Sequence, residues 1–147
     1  MAQLVSLAVR TLHVLTVTVL VGSTITLWHG YRTAAVTDMA AARRYEWLFW
    51  GALGVLVLTG VGNLGALGVP GPTTGWGRTL LVKLLVVVGL VVGSAVRTLV
   101  VVRADEHSGI GAAETSAALR GTLGRAYGVT AGVLLALVVL AEVLAHG

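Results

Sequence analysis

The chain contains no cysteine. Disulfides, thiolate metal sites and cysteine nucleophiles are therefore excluded, and thiols say nothing about the redox compartment. Charge is scarce, at 11% of 147 residues, against about 25% in an average soluble domain. With 56% hydrophobic residues the chain is not a disordered one, and it has too few charges to cover the surface of a soluble globule. The 20 glycines follow no Gly-X-Y period, which excludes a collagen. Also missing are CxxC, HExxH, a Walker loop, GxGxxG ahead of a helix, and any specifically spaced Ser-His-Asp pattern. A hydrolase or nucleotide enzyme has no support. The basic excess is small, 10 Lys and Arg against 6 Asp and Glu, and its placement below needs no nucleic-acid partner.

What the chain does have is long apolar runs, with a mean hydropathy of +0.93. A spanning helix needs about 20 mostly apolar residues. Four stretches qualify, near residues 4–28, 47–69, 76–102 and 119–145. None alternates as a membrane strand does, and each far exceeds the roughly 10 residues of a barrel strand. The first stretch is too long for a signal-peptide core and lacks a basic segment before it, so it is read as a retained helix. The connections are short: Gly30 to Glu46, the two-proline turn Pro70 to Gly75, and the polar Arg103 to Ala118. The expected fold is all-α, a single antiparallel four-transmembrane-helix bundle over residues 1–147.

Connections one and three share a side and carry Arg32, Arg43, Arg44, Arg103 and Arg120, with Arg97 and Arg125 close by. The other side has only Arg10 and Arg78. The positive-inside rule then puts these two connections in the cytoplasm and both termini outside, in a multi-pass membrane protein. Small residues favour close helix approach in lipid. Gly89 and Gly93 form GxxxG in the third span, Gly124, Gly128 and Gly132 continue that spacing in the fourth, and the second carries six glycines from Gly51 to Gly68. These faces serve tight packing, a flat ligand, or a second copy or larger membrane complex; the spacing alone does not choose.

Ionisable groups within a span cost about 2.5–3.5 kcal/mol on insertion scales and are functional candidates by default. His13, Lys83 and Glu142 stand out, with Asn63 as a polar fourth, one on each helix and all toward the outer side. Each also has a plain reading. Lys83 reaches the headgroups by snorkelling, Glu142 sits near the interface, Lys83 and Glu142 pair as ions, and His13 is hydrogen-bonded within the bundle. Neutral imidazole is a ligand for copper, zinc and haem iron, and a carboxylate serves beside it as second ligand or orienting group. His146 lies four residues after Glu142 on the same helical face. At the opposite edge, Trp28, His29, Tyr31, Arg32, Tyr45, Glu46, Trp47 and Trp50 read as an interfacial aromatic belt. His29 lies sixteen residues from His13, roughly 24 Å along a helix, too far to share a metal.

Spans two and three carry a recognisable text. Leu58-Thr59-Gly60, followed after the turn by Trp76-Gly77-Arg78-Thr79-Leu80-Leu81-Val82-Lys83, resembles the copper-resistance D (CopD) domain family. That family has a similar LTG at the end of one helix and an aromatic-Gly-Arg-x-Leu-Leu-x-Lys start to the next. Leu12-His13 with Gly22 nine residues on also resembles its first helix, although Leu20-Val21 stands where Trp-Val is usual. The resemblance implies a protein of the bacterial cytoplasmic (inner) membrane linked with copper uptake or resistance. A weaker one is to HemJ-type protoporphyrinogen oxidases, with a shorter Trp-to-Lys spacing than Trp76 to Lys83.

Three readings follow. The first is a CopD-like protein handling a copper ion at an outer-leaflet site of His13, with Glu142 and His146 as partners. The second is a haem b protein for electron transfer or porphyrin or quinol oxidation. There His13 would be an axial ligand, and Lys83 or Arg78 would contact propionates, with Asn63 also in the pocket. The third is a structural anchor subunit of a larger complex. Enzymatic activity is left open.

Overall fold

The computed structural model describes residues 2–67, 74–107 and 117–146. They form four α-helices, α1 (Ala2–Arg32), α2 (Met39–Leu67), α3 (Gly75–His107) and α4 (Ala117–His146), with no strand among the described residues. All four are long and apolar enough to cross a membrane. The expected proline turn and third connection fall largely on residues 68–73 and 108–116, outside the described residues.

The helices reach beyond the apolar runs that announce them, and the largest difference is at the start of α2. Asp38 caps that helix: its Oδ1 accepts the Ala41 amide at 3.0 Å, satisfying one of the donors a helix leaves open in its first turn. The cap lets Met39 to Glu46 be helical, where sequence alone places them in a connection. Thr74 does the same for α3, its hydroxyl accepting the Gly77 amide at 3.0 Å. The first connection shrinks to residues 33–38. Its turn is tight enough that Ala34 takes a φ of 56°. A Cβ at Gly30 would lie 2.6 Å from Val36 Cγ2, so only glycine fits there.

Each helix runs antiparallel to its neighbours. His13 meets Thr59 and Thr24 meets Tyr45 across α1 and α2. Trp76 Nε1 donates to the Leu144 carbonyl, and Arg97 to Thr130, across α3 and α4. Around the bundle the order is α2, α1, α4, α3, with the ring closed by a thin contact between α3 and α2.

The core is not spread evenly along the axis. Leu20, Leu27, Tyr31, Tyr45, Phe49, Leu90, Val101, Leu123, Tyr127 and Leu134 pack together on the side of the first and third connections. Among the described residues, nothing in α1 before Leu20 and nothing in α4 after Leu134 is buried. Leu4, Val5, Leu7, Leu58, Val139 and Val143 face outward instead, as helices in lipid require.

Glycine packing is narrower than the sequence spacing proposes. A Cβ at Gly128 would sit 2.8 Å from Trp28 Nε1, and one at Gly124 would lie 3.8 Å from Tyr31 Cβ. These two hold α4 against α1. Gly89, Gly93 and Gly132 have nothing within 4 Å of such a Cβ, nor do Gly51, Gly54, Gly60 and Gly62. We therefore expect Gly128→Ala to displace the rigid indole and lower stability by about 1–3 kcal/mol. Gly132→Ala should leave stability unchanged or raised. Thermal unfolding in detergent compares the two directly.

Candidate functional site

Two polar clusters lie inside the bundle, at different levels. The larger centres on Glu46 and Arg97, 5% and 4% exposed. Arg97 Nε donates to Glu46 Oε1 at 2.8 Å and Nη2 donates to Oε2 at 3.1 Å. This is the bidentate geometry that makes guanidinium–carboxylate pairs strong. Tyr127 donates to Oε1 at 3.1 Å and Thr98 to Oε2 at 2.5 Å, so each carboxylate oxygen accepts twice. Trp50 Nε1 in turn donates to Thr98 at 3.0 Å. Arg97 Nη1 donates to Thr130 Oγ1 at 2.6 Å, and the Thr130 hydroxyl donates to the Ala126 carbonyl.

Three rings surround the cation. The guanidinium carbon lies 4.6 Å from the Phe49 centroid, 5.0 Å from Tyr127 and 5.2 Å from Tyr45, within range for cation–π attraction. Tyr45 shares a 2.6 Å hydrogen bond with Thr24, which donates to the Leu20 carbonyl. The network therefore takes side chains from all four helices. Ser94 Oγ is the one buried side-chain polar atom without a partner among the described residues.

This cluster corrects two readings. Tyr45 and Glu46 do not belong to an interfacial belt, and Arg97 is not a boundary arginine. Trp47, 80% exposed, does face outward as the belt reading holds. The missed signal was a pair of opposite charges at similar distance from the same side of neighbouring spans.

The second cluster contains His13. Its Nδ1 lies 2.7 Å from Thr59 Oγ1. The Thr59 hydroxyl also reaches back to the Val55 carbonyl at 2.7 Å. With the hydroxyl proton directed at that carbonyl, the ring donates from Nδ1, and Nε2 carries the lone pair. Thr59 is the central residue of the Leu58-Thr59-Gly60 motif, so that motif positions the histidine of another helix. Lys83 is half-buried, as is His13, and is near enough to interact with it electrostatically.

Arg78 and Glu142 are exposed, near the start of α3 and the end of α4. The side chains of Asn63 and His146 lie outside the described residues. Among the described residues no group of three His, Cys, Asp or Glu side chains is placed to hold a metal ion.

Four antiparallel apolar helices joined by a buried ion pair define a multi-pass helical membrane protein. The family is given by a direct match. The model of copper resistance protein D fits residues 39–144, and the chain belongs to that family. The matched segment holds α2, α3 and nearly all of α4, with Thr59, Lys83, Glu46 and Arg97; α1 and His13 precede it. No curated protein and no solved structure matches the chain.

Removing one member of a buried pair strands the other charge and costs about 3–5 kcal/mol, whereas replacing both by apolar residues is often neutral. Glu46→Leu and Arg97→Met should each show that loss. The double variant should recover most of it. Urea or thermal unfolding of all three in the same detergent measures the coupling.

Proposed function

We propose that the protein handles copper as cargo at the end of the bundle that carries both chain termini, with His13 as the intramembrane ligand. The supporting observation is the His13–Thr59 hydrogen bond. It fixes the ring through Nδ1 and leaves the Nε2 lone pair for a metal, as a neighbour of a metal-binding histidine ordinarily does. Family membership supplies the metal class, since imidazole accepts copper in either oxidation state.

Helical rise puts Glu142 about 6 Å and His13 about 16 Å from their own helix ends on that side. Glu142 and His146 thus stand nearer the surface, and His13 deeper. A stepwise route fits this spacing better than a single closed coordination shell. Lys83 is a poor ligand while protonated, and a cation beside His13 weakens retention of another. That suits passing occupancy rather than a resident ion.

The distribution of arginines supports an orientation with both termini outside the cytoplasmic membrane. Arg32, Arg43, Arg44, Arg103, Arg120 and Arg125 still lie toward one end after Arg97 is withdrawn from the count, against Arg10 and Arg78 at the other.

His13→Ala should abolish copper binding by purified protein in proteoliposomes and remove copper-dependent growth effects. Thr59→Val should weaken binding by about tenfold, the usual effect of losing an orienting partner. Unchanged binding and growth in His13→Ala would overturn the proposal. So would sharp reduced-haem bands in the visible spectrum of protein from haem-replete cells, which would make His13 a haem ligand instead.

A further inference from the structure

Two observations meet in the space between α3 and α4. The first is a groove of about 550 Å³, flanked by Gly89, Gly93, Val129 and Val133. Nothing from a neighbouring element lies within 4 Å of where a Cβ would sit at either glycine. Four residues apart, the two glycines share one face of α3 and leave a strip of bare backbone there. Gly89, Gly93 and Val129 are exposed, so the groove opens sideways toward lipid. Its volume falls within the range of small-ligand pockets, about 300–1,000 Å³.

The second observation is Ser94, which lines the same groove at 1% exposure. Its Oγ has no hydrogen-bond partner among the described residues. A helical hydroxyl ordinarily donates to the carbonyl one turn back, as Thr79 does in α3 and Thr122 in α4. Ser94 does not. Thr130 also lines the groove, but its hydroxyl already accepts from Arg97 and donates to Ala126. One buried hydroxyl in a mostly apolar wall is left to bond whatever fills the space.

The depth of Ser94 restricts the occupant. Within the span Gly75–Ala104, helical rise puts it about 7 Å from the middle, well inside a hydrocarbon core about 30 Å thick. A charged headgroup is costly at that depth, and a plain acyl chain has no oxygen to offer. A second copy laid on the strip of Gly89 and Gly93 does not reach Ser94 either, which lies about 100–140° around α3 from them. The fitting occupant is neutral, with a flat apolar part for the glycines and a carbonyl for the hydroxyl.

We propose that this groove binds a membrane quinone. The ring lies against Gly89 and Gly93, one carbonyl accepts the Ser94 hydroxyl, and the isoprenoid tail passes out into the lipid. The site is separate from His13, and its occupancy needs no copper.

The test is binding of decylubiquinone, isotope-labelled at its carbonyls, to the full chain in detergent without copper. Quinone retained through gel filtration gives the affinity, and infrared difference spectra give the carbonyl stretch. Wild type should bind saturably, with a carbonyl band shifted to lower frequency by the hydrogen bond. Ser94→Ala should lose that shift and weaken binding about fivefold, the equivalent of about 1 kcal/mol for one neutral hydrogen bond. Gly93→Leu should fill the ring seat and abolish binding. Gly54→Leu, at an equally open and exposed position on α2, should change neither readout. Ser94→Ala removes an unpartnered hydroxyl and should be at least as stable as wild type; thermal unfolding checks that every variant is folded. Absence of saturable binding, or a shifted band that survives Ser94→Ala, would overturn the proposal. So would binding unchanged in Gly93→Leu, or lost equally in Gly54→Leu. Competition by decane as effective as by the quinone would make the groove a seat for any chain and overturn it. A dimer that dissociates in Gly93→Leu and is indifferent to quinone would assign the groove to a second copy and overturn it too.

Discussion

The Glu46–Arg97 pair is the constraint around which the rest of the bundle is arranged. Two opposite charges within an apolar bundle tolerate each other only if every oxygen and nitrogen finds a partner, and here the partners come from α2, α3 and α4, with Thr24 of α1 tied in through Tyr45. Thr98 and Tyr127 complete the carboxylate, Thr130 accepts a hydrogen bond from Nη1, and Phe49, Tyr45 and Tyr127 cover the cation. Lipid gives helices little hydrophobic reason to associate. A polar network with one satisfactory arrangement therefore supplies what apolar contact does not, a defined register. Its reach across the thin α2–α3 contact is where that matters most, because little else joins those two helices.

Much of this architecture is written in the sequence as apolar runs, and the four spans follow from length alone. What hydropathy conceals is the charge pair. A window that scores one helix at a time treats Glu46 as a reason to begin the span at Trp47, and Arg97 as a sign of the boundary. Paired across helices, the two charges neutralise each other, so neither marks an end. The Asp38 cap was the local clue that helix α2 begins eight residues before Trp47. The candidate site was partly legible. His13 and Lys83 could be chosen by depth, but the role of Thr59 could not, because a threonine bonded to its own helix and one bonded to a neighbour look identical in one dimension.

The glycine spacing shows the same limit. Gly124 and Gly128 do bring α4 against Tyr31 and Trp28, as small residues at helical spacing propose. Gly89 and Gly93 repeat the pattern and leave open space instead. Periodicity identifies a face and says nothing of what lies opposite it. That is decided by the bulk on the facing helix, which only the folded structure reveals.

The uneven core gives the molecule a mechanical polarity. One end is closed by a network of directional bonds, whose separation would leave charges bare in a medium that cannot solvate them. At the other end the contacts are mostly between aliphatic side chains, and a lipid tail replaces such a contact with almost no change in free energy. The bundle thus resembles a clothes-peg, sprung at the arginine and lightly held at the histidine. At the histidine end α1 is tied to α2 by the His13–Thr59 hydrogen bond rather than by a network of charges.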